Sequence, residues 1–435
     1  MTDTRVFLKT VVPSVIAFAL SGVYTIVDGL FLGNSLGDIG LACITLGYPI
    51  TAFIQALGTG IGLSGAIRFT ILRHQDKEDE AKISFRSTVL LLSCVSLCLS
   101  VVVIVALPIL LELLGAKGES FDLTAEYVSV IALGATCQIF ATGLVPFIRN
   151  LGGSTFAMGA MILGFVINSV LDYLFVWVYH WGMSGAALAT IIGQAATAIL
   201  AVFFTLKRRM PFNSWEISLI SYWKAILKLA FAPFGLVFAT QITAILLNRY
   251  LMTYGNAQSV AVYGCISYVT TVVYLLLQGV GDGTQPLISR YFGRKQLDKM
   301  LTMRSLSYKA SFGVSMVCSF FLWFTSNWIG ILFGTSLEAS QEIAAYLPLF
   351  LFSLVAYAYV RMTISFLYAI AESTLSYSLV FSEPVLIFML LNVLPHLSPI
   401  GIWLSVPIAQ LLTSCLAYMI TCKVDKSLKL NCALY

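Results

Sequence analysis

Long apolar runs, each twenty residues or more and nearly free of charge, recur from one end of this 435-residue chain to the other, and they leave it few ways to fold. Crossing roughly 30 Å of hydrocarbon takes about 20 such residues in a helix. In lipid every backbone donor and acceptor must be satisfied internally, and these runs are too long for the alternating strands of a barrel, so the expected fold is all-α and polytopic. Breaks in hydropathy place twelve transmembrane helices near residues 6–32, 41–70, 87–114, 125–148, 156–179, 184–206, 225–253, 260–289, 305–333, 343–370, 375–395 and 400–422. Composition agrees: 10% of residues are charged and 59% are apolar, against about 25% charged in a soluble domain. The lipid bilayer is therefore the expected partner. The first run follows Arg5 and Lys9 but continues to about Leu32, includes Asp28 and lacks a small-residue cleavage site, so it reads as a retained span rather than a secretory signal.

Charge placement orients the spans. Arg68, Arg73, Lys77, Lys82 and Arg86 fall between spans two and three, Lys207, Arg208, Arg209, Lys224 and Lys228 between six and seven, and Arg290, Arg294, Lys295, Lys299 and Arg304 between eight and nine. Arg5, Lys9, Arg149, Lys423, Lys426 and Lys429 join them, whereas Lys117 stands in an opposite loop. The positive-inside rule makes the crowded side cytoplasmic, with both termini there. The run RHQDKEDEAK reads as a solvated cytoplasmic loop. Nothing in this pattern points to nucleic acid, and the scattered cysteines and histidines (Cys94 and Cys98 alone lie one turn apart) do not suggest a metal site. No cofactor is expected.

The chain also repeats itself. Pro13 and Asp28 match Pro233 and Asn248 at a constant offset, and GLACITLGYPI is followed at a similar distance by SVAVYGCISYV. GMSGAALATIIGQ resembles SPIGIWLSVPIAQ, so the repeat reaches the last span of each half. Two six-helix lobes follow, residues 1–206 and 225–435, joined by a cytoplasmic linker at 207–224. Six spans is an even number, so the lobes should be related by a pseudo-two-fold axis along the membrane normal, with a substrate site between them.

Ionisable groups at membrane depth cost about 2.5–3.5 kcal/mol each on insertion scales and need a reason. Asp28, Asp172, Arg249, Arg361 and Glu383 fall there, with Asp282 and Glu372 nearer span ends. Tyr24 precedes Asp28 by four residues and Asn168 precedes Asp172 by four, which puts each pair on one helix face. Burial and a neighbouring acid both favour the protonated form of one carboxylate, which would let the pair load and release a proton or hold sodium. The alternative is a buried polar pair that only ties two helices together.

The stretches VYTIVDGLFLGNSLG, FIRNLGGSTFAMGAMILGFVINSVLDYLFV, WGMSGAALATIIGQ and QGVGDGTQPLISRYFGRKQ, in this order within two matched halves, resemble the multidrug and toxic compound extrusion (MATE) family of the MOP superfamily, in its compact bacterial branch. The resemblance covers nearly the whole chain. It implies a bacterial cytoplasmic-membrane antiporter, a monomer, that exports amphipathic, often cationic organic compounds against H+ or Na+ by alternating access; it is not an enzyme. It also implies that Tyr24, Asp28, Asn168, Asp172 and Thr190 form a cation-coupling cluster in the N-terminal lobe, and that Pro13 is a hinge in the first span. The sodium-coupled branch carries acids in its C-terminal lobe, where this chain has Gln241, Asn248 and Arg249; Glu383, beside Pro384 and with Arg361 or Arg249 as possible partners, leaves a second site open. Tyr48, Gln55, Tyr263, Tyr268, Tyr274 and Gln278 are candidate cavity residues. A flippase or exporter of a lipid-linked or other specific metabolite shares the architecture but would call for a more cationic cavity.

Overall fold

The computed structural model describes residues 2–211, 217–398 and 400–433; the side chains of 24–39, 41, 42, 45, 217, 218, 257 and 429–433 lie outside the described ones. Helices α1 Asp3–Arg73, α2 Glu78–Leu113, α3 Glu119–Leu133, α4 Ala135–Asn150, α5 Ser154–Asp172, α6 Gly182–Lys207, α7 Trp223–Tyr254, α8 Ala257–Gly293, α9 Leu297–Leu332, α10 Leu337–Ala369, α11 Ser373–Leu397 and α12 Gly401–Ala433 account for nearly all of the described chain. Among the described residues these supply eleven candidate spans, twelve with the bent pair α3–α4 taken as one. α1 holds two apolar spans, Asp3–Val23 and Leu46–Arg73, while α3 and α4 make one span bent by 55°.

Helical backbone runs from Asp3 to Arg73 through Pro13 and Pro49, yet a straight helix of this length would measure about 106 Å at 1.5 Å per residue, over three times the hydrocarbon thickness. Packing shows that its two ends return to one side. Phe7 and Val11 from the first span share a buried cluster with Ile67 and Ile71 from the second and with Ile288 and Tyr291 from the end of α8. The expected interruption between residues 32 and 41 falls among residues whose side chains are not described. The bend between α3 and α4 is at Gly134, where a Cβ would meet the Ile191 side chain at 2.3 Å; the absent side chain lets α6 press against the elbow.

The helices reach further beyond the bilayer than hydropathy suggested. Much of RHQDKEDEAK is not loop: α2 begins at Glu78, and residues 74–77 alone make the connection. Glu78, Asp79 and Glu80 occupy its first turn, where acids complement the helix dipole, and Lys77–Glu80 (3.1 Å) and Lys82–Glu78 (3.3 Å) pair along the surface. Charged residues need not end a helix that is leaving the membrane.

The pseudo-symmetry appears as reciprocal contacts. A Cβ on Gly60 of the second span would meet the Ala230 carbonyl at 2.9 Å and Phe234 Cβ at 3.0 Å on α7; a Cβ on Gly279 of α8 would meet Val15 Cα at 2.6 Å and the Ser14 carbonyl at 3.0 Å on the first span. Span two thus crosses span seven as span eight crosses span one. Glycine at each crossing lets the backbones of opposite halves touch. The halves also meet at the basic face, where a Cβ on Gly293 would lie 2.7 Å from the Ile71 carbonyl.

Candidate functional site

In the first half, α5 and α6 approach closely enough to join polar side chains at membrane depth. A Cβ on Gly193 would lie 2.6 Å from the Gly164 carbonyl and 2.9 Å from Asn168 Cβ, and one on Gly164 would lie 2.8 Å from the Gly193 carbonyl. Two facing glycines therefore set the separation. On that contact the Asn168 Nδ2 donates to Thr190 Oγ1 at 3.5 Å, and Thr190 donates to the Ala186 carbonyl at 3.1 Å. Asn168 Oδ1 is buried without a partner among the described residues. A small internal void opens beside this pair, lined by Gly164, Phe165, Asn168, Thr190, Gly193, Gln194 and Thr197.

Asp172 lies one turn beyond Asn168 and is 0% exposed. It is the last residue of α5, and a single π-helical turn, Tyr173–Val178, follows at once. Such turns interrupt regular packing and recur at functional positions; nothing in the hydropathy of YLFVWV foretold it. Of the five expected members of the cluster, Asn168, Asp172 and Thr190 are thus close in chain turn or hydrogen bond. Tyr24 and Asp28 sit on helical α1 with side chains outside the described residues, as the expected partners from the first span. Pro13 lies inside α1, half-buried, with helix on both sides of it.

The second half holds Glu383 on α11. Its Oε1 accepts from Gln410 Nε2 of α12 at 3.1 Å, and the same nitrogen lies 3.1 Å from the Tyr274 hydroxyl of α8. Tyr274 packs on Tyr357 of α10 with ring centroids 4.1 Å apart. Arginine is not the partner of Glu383: no basic group lies within ion-pair distance among the described residues. Arg249 is exposed, in the last two turns of α7, and is not within ion-pair distance of Glu383. Gln241 and Asn248 are half-buried on α7.

A third polar group joins the two halves, and sequence reasoning undervalued it. Arg149, counted among loop cations, is 4% exposed, and Asp282, taken as near a span end, is 5% exposed well inside α8. Arg149 Nη1 and Asp282 Oδ2 are 3.6 Å apart. Tyr368 of α10 donates to Asp282 Oδ1 at 3.3 Å, and Arg149 also lies over the Phe18 ring at 5.2 Å. Next along the chain, Asn150 accepts from Thr70 Oγ1 at 2.5 Å and donates to Gln285 Oε1 at 2.9 Å. Gln285 Nε2 donates to Ser289 Oγ at 2.9 Å, and Ser289 to the Ala369 carbonyl at 2.7 Å. Hydropathy treats Arg149 and Asn150 as the end of a span; the neighbouring helix that buries them is not visible to a one-dimensional window.

The cavity candidates separate. Gln278 lines a narrow cleft between the halves with Asp282, Arg361 and Tyr368. Tyr274 belongs to the Glu383 cluster, and Tyr263 is buried against Phe350 at 6.3 Å, which is packing rather than cavity wall. Tyr268 stands on Phe333 at 5.8 Å and is 44% exposed. Tyr48 and Gln55 are exposed on the second span. The described residues contain no group of three or more His, Cys, Asp and Glu arranged to hold a metal ion.

Known proteins share this arrangement. The MepA multidrug export protein of Staphylococcus saprophyticus is 29% identical over 320 residues, covering 71% of this chain and 69% of its own, and MepA of Staphylococcus aureus is 28% identical over 317 residues with the same coverage. Among solved structures, a MOP superfamily transporter from Pyrococcus furiosus superposes with a TM-score of 0.91 at 21% identity, covering 99% of this chain and 97% of that one. A crystal structure of MATE in complex with MaL6 gives 0.89 at 21% identity, covering 99% and 98%. The MatE family profile matches residues 13–174 and again 231–394, one match per half. Twelve spans, reciprocal crossings between the halves and this doubled match together show that the chain belongs to the MatE family of efflux transporters.

Proposed function

We propose that the chain is a cation-coupled antiporter of a bacterial plasma membrane, exporting amphipathic organic cations by rocking residues 1–206 against 225–435 about the linker at 207–224. The observation that carries this reading is Asp172, a carboxylate with no exposed surface at a helix-type change within the membrane, one turn from the Asn168–Thr190 pair. Such a group has no use as simple glue that serine or asparagine would not serve better. With Asp28 and Tyr24 as its expected partners from the first span, the cluster exchanges H+, or Na+ on the same oxygens. The occupied form favours release outside, and the charged form favours capture from the cytoplasm, because only unequal affinity for the two conformers can drive the exchange. MepA relatives named for multidrug export support the substrate class, and the basic face, with both termini, is cytoplasmic.

The available driving force is adequate. A potential of 100 mV is worth about 2.3 kcal/mol per charge and one pH unit about 1.36 kcal/mol, together roughly 500-fold per proton for a neutral substrate; when a monovalent cation leaves for each proton the charges cancel, and one pH unit alone supports roughly tenfold. The test is efflux of a fluorescent organic cation from proteoliposomes given separately a pH jump and a sodium jump. Asp172→Asn should abolish ion-driven efflux while the protein stays folded; coupled efflux at the unaltered rate would refute the assignment.

A further inference from the structure

Arg361 is the buried charge that this mechanism leaves unused. It is 4% exposed on α10, its Nε has no partner among the described residues, and no carboxylate lies within ion-pair distance among them. A guanidinium taken out of water without a counter-ion is strongly disfavoured, so its place in the fold needs a reason. It lines the cleft between the halves with Thr59 and Leu63 on one wall and Gln278, Asp282 and Tyr368 on the other. The cleft is too narrow here to seat even a water molecule, which argues against a bound ligand as its partner in this conformer.

The nearest acid on that cleft is already engaged across the lobe boundary, Asp282 with Arg149 at 3.6 Å. Arg361 belongs to the same half as Asp282, and their helices touch at this level. A Cβ on Gly281 would come within 3.4 Å of Met362 Cε, and Ser365, one turn past Arg361, shares a 2.9 Å hydrogen bond with the Tyr368 hydroxyl that also reaches Asp282. Tyr368 thus touches the acid and lines the same cleft as the spare cation.

We propose that Arg361 is the reserve counter-ion of Asp282: when the lobes part at the basic face and Arg149 leaves with its own half, Asp282 passes to Arg361. The inter-lobe ion pair can then break without stranding a carboxylate, and the two conformers differ by a swap of partners. This rests on the alternating-access reading above. In the closed form Asp282 holds the lobes together; in the open form the same charge is held within one lobe. Arg149 and Arg361 therefore act on the equilibrium in opposite directions through one acid.

The experiment uses the full chain in proteoliposomes carrying Thr59→Cys on the cleft wall, with the alkylation rate of that site read by mass spectrometry and the native cysteines left in place. Arg149→Gln should raise labelling severalfold, Arg361→Gln should lower it severalfold, and Arg361→Lys should restore it. In a background carrying both Asp282→Asn and Arg149→Gln, which removes both members of the ion pair and so strands neither charge, Arg361→Gln should change labelling less than twofold. The proposal is overturned if Arg361→Gln raises labelling, or if its effect persists without Asp282. It is likewise overturned if replacing chloride by gluconate erases the effect, since Arg361 would then serve a small anion. Substrate efflux by the Thr59→Cys protein separates the two readings: efflux independent of any ion gradient refutes coupling, whereas gradient-driven efflux with unaltered labelling in Arg361→Gln refutes the reserve counter-ion alone.

Discussion

Gly193→Ala tests whether the α5–α6 contact holds the coupling residues in register. The added Cβ would sit 2.6 Å from the Gly164 carbonyl oxygen, against about 3.4 Å for an ordinary contact, so the helices must separate by roughly 0.8 Å or distort by as much. Overpacking of this kind costs about 1–3 kcal/mol, and the alanine returns about 1 kcal/mol of helix propensity. The net loss of stability is then small, about 0–2 kcal/mol. The hydrogen bond is more sensitive: Asn168–Thr190 already spans 3.5 Å, at the outer limit of a bond, and any separation breaks it. Losing about 1 kcal/mol of orientation corresponds to roughly fivefold in rate. Ion-driven efflux in proteoliposomes should therefore fall about fivefold while the thermal midpoint shifts by a few degrees at most. Gly159→Ala, on α5 with open space around its Cβ, is the control and should transport normally. Unchanged efflux by Gly193→Ala would show that the close contact does not position the cluster.

Gly62→Ala should be far more damaging to stability, because its Cβ would lie 2.1 Å from the Gly143 carbonyl and 2.2 Å from Gly143 Cα; we expect the upper end of the roughly 1–3 kcal/mol range, against none for Gly313→Ala, whose Cβ meets nothing, with thermal unfolding in detergent as the measure. Gln410→Ala removes the donor between Glu383 and Tyr274 and should cost about 1–3 kcal/mol, whereas Glu383→Gln, which can keep an acceptor toward Gln410, should unfold near the unaltered temperature. His74, capping α1, donates through Nδ1 to the Thr70 carbonyl at 2.9 Å; its pKa is lowered, first by burial and then by Arg290, Arg294 and Arg73. The unfolded chain therefore binds more protons, so this contribution to stability is present above the ordinary histidine value of about 6.5 and is lost as pH falls toward the lowered folded value. The drop in thermal midpoint between pH 7.5 and 5.5 should shrink in His74→Gln.

What was legible in one dimension follows from the bilayer. Lipid imposes span length, hydropathy and charge sidedness residue by residue, so the number of crossings and the doubling of the chain can be read from the string of letters. The four-residue spacing of Asn168 and Asp172 likewise belongs to one helix and needs no neighbour. Which faces meet belongs to the tertiary structure. Gly164 and Gly193 look like any glycines until α5 and α6 are placed together; Arg149 looks like a loop cation and Asp282 like a span end until α4 and α8 close on them. Glu383 invited an arginine by charge, and packing supplied Gln410 instead. Burial and partner choice depend on residues more than a hundred positions away, as Arg149 and Asp282 are, and no local window carries that distance.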